Sequence, residues 1–125
     1  MTIEVRGVHH IMVTVGDIEI SKNFYGKILG LEEIDCPVKD GQRVWYKLGN
    51  QELHVNLHKN HRSGFSHFAL SVTPEKYEEY YRLVKSTGYD KVNESRFYEA
   101  DGTNKFFVDD PFGNTIEIMD GQISA

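Results

Sequence analysis

Apolar and other residues alternate from Val8 to Val15, placing Ile11, Val13 and Val15 on one face of a strand and His10, Met12 and Thr14 on the opposite face. Asp17 is positioned to cap a helix in which Ile20, Phe24 and Ile28 recur every four residues, and Gly30 supplies its stop. Three short strands are predicted next, over Glu32 to Asp35, Arg43 to Leu48 and Glu52 to His58, separated by the turn-prone Lys39-Asp-Gly and Gly49-Asn segments. The unit reads βαβββ.

The order then restarts after the polar stretch Asn60-His-Arg-Ser-Gly. A strand over Phe65 to Val72 repeats the first, with Phe68, Leu70 and Val72 on its apolar face. Thr73 caps a second helix, Pro74 suits its first turn, and Tyr77, Tyr81 and Val84 form a stripe that ends before Gly88. Strands over Lys91 to Asn93, Asn104 to Asp109 and Thr115 to Met119 complete the unit, the last two joined by Asp110-Pro-Phe-Gly-Asn. That turn reads as structural, since Pro111 presets it and Gly113 tolerates positive φ. The expectation is one domain over 1–125, with module one at about 5–60 and module two at about 61–122.

The repeat carries chemistry. His10-Ile-Met-Val-Thr-Val and His67-Phe-Ala-Leu-Ser-Val are near-copies that each open on histidine. If the apolar faces pack against the helices, the faces bearing His10 and His67 look toward a shared concavity, and parity sends Glu117, between Ile116 and Ile118, the same way. Two imidazoles and one carboxylate form an open facial ligand set for Fe, Mn, Ni or Zn, with coordination positions left for water or substrate. His54, Asn56 and His58 share a face of the strand closing module one. By symmetry His54 corresponds to Glu117 if one residue is inserted. If unligated, the His54 imidazole is a candidate general base.

Several residues carry blander readings. Parity groups His9 with the helix-facing set, and His61 reads as a solvated linker residue or a lid contact. Arg43, Trp45 and Lys47 share one strand face with Tyr46 on the other, and a bulge would decide which meets the cleft. Arg96 and Tyr98 fall where a lid could form.

Composition narrows the partners. Fourteen Lys plus Arg against nineteen Asp plus Glu give a formal charge of -5, no footprint for nucleic acid or an anionic membrane. No apolar run approaches the roughly 20 residues of a bilayer span, and Met1-Thr-Ile-Glu-Val-Arg lacks the features of a signal peptide, so a cytoplasmic location is expected. Cys36 is the only cysteine, which excludes an intrachain disulfide and a thiolate zinc site within one chain; it reads as a passive thiol.

Four segments together resemble the vicinal oxygen chelate superfamily, the glyoxalase, extradiol dioxygenase and fosfomycin-resistance group: Val8-His-His-Ile-Met-Val-Thr-Val-Gly-Asp, Phe24-Tyr-Gly-Lys-Ile-Leu-Gly-Leu, Phe65-Ser-His-Phe-Ala-Leu and Asp110-Pro-Phe-Gly-Asn-Thr-Ile-Glu. The resemblance covers nearly the whole chain. It implies an α+β fold in which paired βαβββ modules form a half-open, barrel-like mixed sheet around a central cleft, with helices outside. It also implies a metal held by His10, His67 and Glu117, often with a fourth ligand from the strand closing module one, here His54 or Asn56. Relatives often place glutamate or glutamine at the fourth position, so His54 there disfavours lactoylglutathione lyase activity. A divalent-metal-dependent enzyme is implied, a dioxygenase, lyase, isomerase or transferase, acting on a small substrate that chelates the ion through vicinal oxygens. The alternative is a metal-independent small-molecule or antibiotic-binding resistance protein, for which seven Tyr, seven Phe and one Trp could furnish a pocket. Two-module members commonly form homodimers, with ligands drawn from one chain or from both.

Overall fold

The computed structural model describes residues 6–61, 67–87 and 104–121. The chain is α+β and consists of two βαβββ-like modules with mixed sheets, neither closed into a barrel. They form two compact units, residues 1–61 and 62–125.

In the first unit, β1 (His10–Val15) runs parallel to β4 (Gln51–Leu57), which pairs antiparallel with β3 (Arg43–Leu48), and β3 in turn with the two-residue edge strand β2 (Glu33–Ile34). The β3–β4 register runs from Arg43↔Asn56 to Leu48↔Gln51 without a bulge. Strand alternation is therefore preserved across the sheet. Val15, Val44, Tyr46, Leu53 and Val55 are buried on one face, and the other carries His10, Met12, Thr14, Glu52, His54, Asn56, Arg43, Trp45 and Lys47. The bulge that would have made the orientation of β3 ambiguous is absent, and Trp45 lies on the histidine face.

The helix over the apolar face begins as expected. The Asp17 carboxylate accepts from the Ile20 backbone N–H at 2.9 Å to cap α1 (Ile18–Lys22). The chain then continues as a π-helix over Asn23–Ile28, with the Leu29 N–H donating to the Phe24 carbonyl at 2.9 Å. Each such turn takes more residues than an α-turn, so a four-residue repeat drifts off the face. The expected stripe of Ile20, Phe24 and Ile28 is thus replaced by Ser21, Phe24, Tyr25 and Leu29, which are buried, while Ile20 is 46% exposed. The Tyr25 and Tyr46 rings meet at 6.1 Å between centroids, tying helix to sheet.

The second unit repeats the arrangement. β5 (His67–Ser71) runs parallel to β7 (Thr115–Met119), which pairs antiparallel with β6 (Lys105–Asp109). Thr73 accepts from the Lys76 N–H to cap α2 (Pro74–Ser86), and Pro74 occupies the first turn. The predicted stripe is the packing face: Tyr77 and Tyr81 set their rings at 5.4 and 5.7 Å from Phe106, and Val84 is fully buried. Between β6 and β7 the Asp110 carboxylate accepts from the Phe112 and Asn114 backbone N–H groups and from the Asn114 amide, each at 2.8 Å, and Gly113 takes φ +85°. These bonds satisfy a buried acid and set the turn that delivers Glu117 to its place. The strand expected at Lys91 to Asn93, the residues Arg96 and Tyr98, and the start of the fifth strand at Phe65 lie outside the described residues.

Candidate metal centre

Strand pairing makes the two units comparable residue by residue. His10 opens β1 and Met12, two residues on, pairs with His54; His67 opens β5 and Ala69, two residues on, pairs with Glu117. On the next strand Trp45 faces His54 and Phe107 faces Glu117. His54 is thus the positional counterpart of Glu117.

In the first unit His54 is sandwiched between aromatic planes. The Trp45 ring lies 3.8 Å from it at 4°, and His10 lies 4.1 Å away on a plane inclined by 15°. Its Nε2 is 2.9 Å from Glu52 Oε1. An ionised carboxylate has no proton to give, so the imidazole donates. That bond, together with the nearby imidazoles, holds the Glu52 carboxyl below the usual carboxylate range. His54 is 9% exposed.

His9 does not join the helix-facing set. It precedes the first residue of β1, so strand parity does not govern it; its ring is exposed and its Nδ1 lies 3.0 Å from His10 Nδ1. One of the two nitrogens donates, which leaves His10 Nε2 directed away from that bond. His61 is likewise no free linker side chain: its Nδ1 is 2.6 Å from Thr14 Oγ1 and the residue is half-buried. His58, although in step with His54, lies beyond the end of β4, exposed, and accepts from the Asn60 N–H at 3.1 Å. Asn56 differs from all of these. Its Oδ1 is buried with no hydrogen-bond partner among the described residues.

In the second unit His67 Nε2 stands 3.8 Å from Glu117 Oε1, and the Phe107 ring meets His67 edge-on at 5.3 Å. Glu117 is 9% exposed. Among the described residues the His67 ring, 43% exposed at its side chain, is the imidazole that stands beside this enclosed carboxyl group. Their separation is too long for a hydrogen bond and close to the roughly 3.4 Å between two donors of one tetrahedral ion at about 2.1 Å. The donor chemistry therefore fits a divalent cation. The structure brings His10 to His54 and His67 to Glu117, one pair in each unit. Among the described residues no set of three or more His, Cys, Asp or Glu side chains is gathered to hold an ion.

A groove of about 520 Å³ adjoins Trp45, lined also by Ile34, Cys36, Val38, Arg43 and Val44. The Cys36 thiol is buried and donates to the Val38 carbonyl at 3.5 Å, as a passive thiol would. Among the described residues no helix is long and apolar enough to cross a membrane.

Comparison with known proteins follows this geometry. A glyoxalase family protein of Bacillus anthracis is 30% identical, with a TM-score of 0.82 over 98% of this chain and 100% of that one. The fosfomycin resistance protein FosX of Listeria monocytogenes shares the fold, with a TM-score of 0.81 and 17% identity over 96% of this chain and 94% of its own. The metallothiol transferase FosB of Staphylococcus saprophyticus is 23% identical over 124 residues, which is 95% of this chain and 80% of that protein. Residues 7–118 match the model of one family, and the chain belongs to it: the Glyoxalase/Bleomycin resistance protein/Dioxygenase superfamily.

Proposed function

We propose that the protein is a divalent-metal-dependent enzyme in which His10, His67 and Glu117 hold the ion and a small substrate binds through vicinal oxygens. The observation that carries this reading is the buried Glu117 carboxylate 3.8 Å from His67, repeated in register by His54 beside His10. A divalent ion there supplies Lewis-acid stabilisation of charge developing on substrate oxygens. The chain supplies the rest. His54 takes the proton of an attacking nucleophile, its ring held in one plane by Trp45 and His10. Since Glu52 holds His54 Nε2, Nδ1 is the nitrogen left to take a proton or, in the other reading, to serve as a fourth ligand.

Relatives direct the choice among reactions. FosB is a metallothiol transferase, and one structure of FosX holds Mn(II) with 1S,2S-dihydroxypropylphosphonic acid. Addition of water or a thiol to a small oxygenated substrate is accordingly favoured over ring-cleaving dioxygenation.

Protein stripped with chelator and reloaded with Mn(II), Fe(II), Ni(II) or Zn(II) should open fosfomycin or a related oxygenated phosphonate with water or a thiol, with no change in dissolved oxygen. Oxygen uptake on turnover of a catechol would favour the dioxygenase branch, and binding of small molecules with no dependence on metal would favour a sequestering protein. Mixing His10→Ala with Glu117→Gln protein regains activity only if two copies share each site.

A further inference from the structure

We infer that Glu52 is a positioning residue that fixes His54 as the Nε2–H tautomer and so makes Nδ1 its proton-accepting nitrogen. Glu52 and His54 are two residues apart on β4 and therefore share a face. In the sheet Glu52 is flanked by His10 on one side and Lys47 on the other, yet its carboxylate engages His54, at 2.9 Å. A neutral imidazole has one N–H and one lone pair, so a carboxylate on Nε2 dictates where the lone pair sits. Stacking completes the constraint. With the Trp45 ring stacked on the His54 imidazole at 3.8 Å and the His10 ring at 4.1 Å, the imidazole cannot tilt without losing contact, and only rotation by a half-turn would exchange its nitrogens. Glu52 opposes that exchange by holding the N–H.

The arrangement follows the logic of a carboxylate–histidine pair in hydrolases, where the acid selects the tautomer and orientation without itself taking up the proton. Here it deepens the proposed function, resting on the reading of His54 as the base. Nothing in the sequence pattern separates Glu52 from an ordinary solvated glutamate except its spacing from His54.

The test is nitrogen-resolved NMR of the Zn(II)-loaded full chain labelled at histidine, with steady-state kinetics of the same variants. In the unsubstituted protein His54 should show a protonated Nε2 and a lone pair on Nδ1. Glu52→Ala should give a mixture of tautomers and a kcat about 10–100-fold lower with KM little changed, whereas Glu52→Asp, which keeps an acceptor-only carboxylate, should restore the single tautomer. Retention of the Nε2–H tautomer in Glu52→Ala, or an Nδ1–H tautomer in the unsubstituted protein, overturns the inference. A tautomer that changes in Glu52→Ala while kcat stays constant supports the assignment of Glu52 and removes instead the reading of His54 as base.

Discussion

His54 and Glu117 hold the same register position in their respective modules, each paired with the residue two beyond the module's first histidine. Duplication has thus left one position with two side chains of different chemistry. One is a buried carboxylate near a half-exposed imidazole, suited to binding a cation. The other is an imidazole whose outer nitrogen is already bonded to Glu52.

This difference predicts different outcomes for similar substitutions. Glu117→Gln removes the charge of a proposed ligand and should lower metal affinity at least about 10-fold. His54→Gln should keep the metal content and lower kcat by about 10²–10⁴-fold, the usual contribution of a general base. Metal analysis alongside kinetics separates them; loss of metal from His54→Gln would reassign it as a ligand.

Trp45 should matter through its plane. Trp45→Phe retains an aromatic face against His54, whereas Trp45→Ala exposes the imidazole and removes a half-buried ring, at a cost of about 2 kcal/mol in unfolding free energy. Urea unfolding should show a midpoint near that of the unsubstituted protein for the first variant and a clear drop for the second.

Tyr46 carries a buried hydroxyl without a hydrogen-bond partner among the described residues, in a residue 1% exposed. Burial chiefly, with the charges of Glu33 and Glu19 adding to it, pushes its pKa from 10.0 up to about 12. Below pH 10 both folded and unfolded chains keep the phenolic proton, and between pH 10 and 12 the unfolded chain alone releases it, so stability falls as pH rises. The loss should be on the order of 2 kcal/mol. Tyr46→Phe should abolish this alkaline decline and, by removing the unsatisfied hydroxyl, stabilise the protein by about 1 kcal/mol at neutral pH. Denaturant curves at pH 7 and 11 test both effects.

Asp110→Ala should cost about 2–4 kcal/mol, because the turn loses three hydrogen bonds and leaves backbone N–H groups without their acceptor. Asp110→Asn keeps part of the network and should cost less. A lower midpoint at constant m-value is the expected signature.

Much of this was legible in the residues because strand alternation is a local property. The bounds of β3 and β7, the stripe on α2 and the faces of His10, His67, His54 and Glu117 all follow from a period of two or of about 3.6. Ile20 falls off the buried face because the helix continues as a π-helix after Lys22, a change of period that the four-residue spacing of apolar residues does not signal. His9 was misplaced because parity was extended one residue beyond the strand's start. The contacts of His61 and Glu52 are not legible for another reason: they are hydrogen bonds to Thr14 and His54, whose formation depends on side-chain rotamers rather than on spacing. The face of Trp45 turned on the absence of a bulge, which only pairing register reveals.

The most direct measurement is metal stoichiometry after chelator treatment and reloading with Mn(II), read by mass spectrometry for the unsubstituted protein and for His10→Ala, His67→Ala and Glu117→Gln. The proposed centre predicts about one ion per chain in the first and at least a 10-fold loss of affinity in each variant. A chain that takes up no divalent ion, or any one of the three variants retaining full affinity, would contradict it.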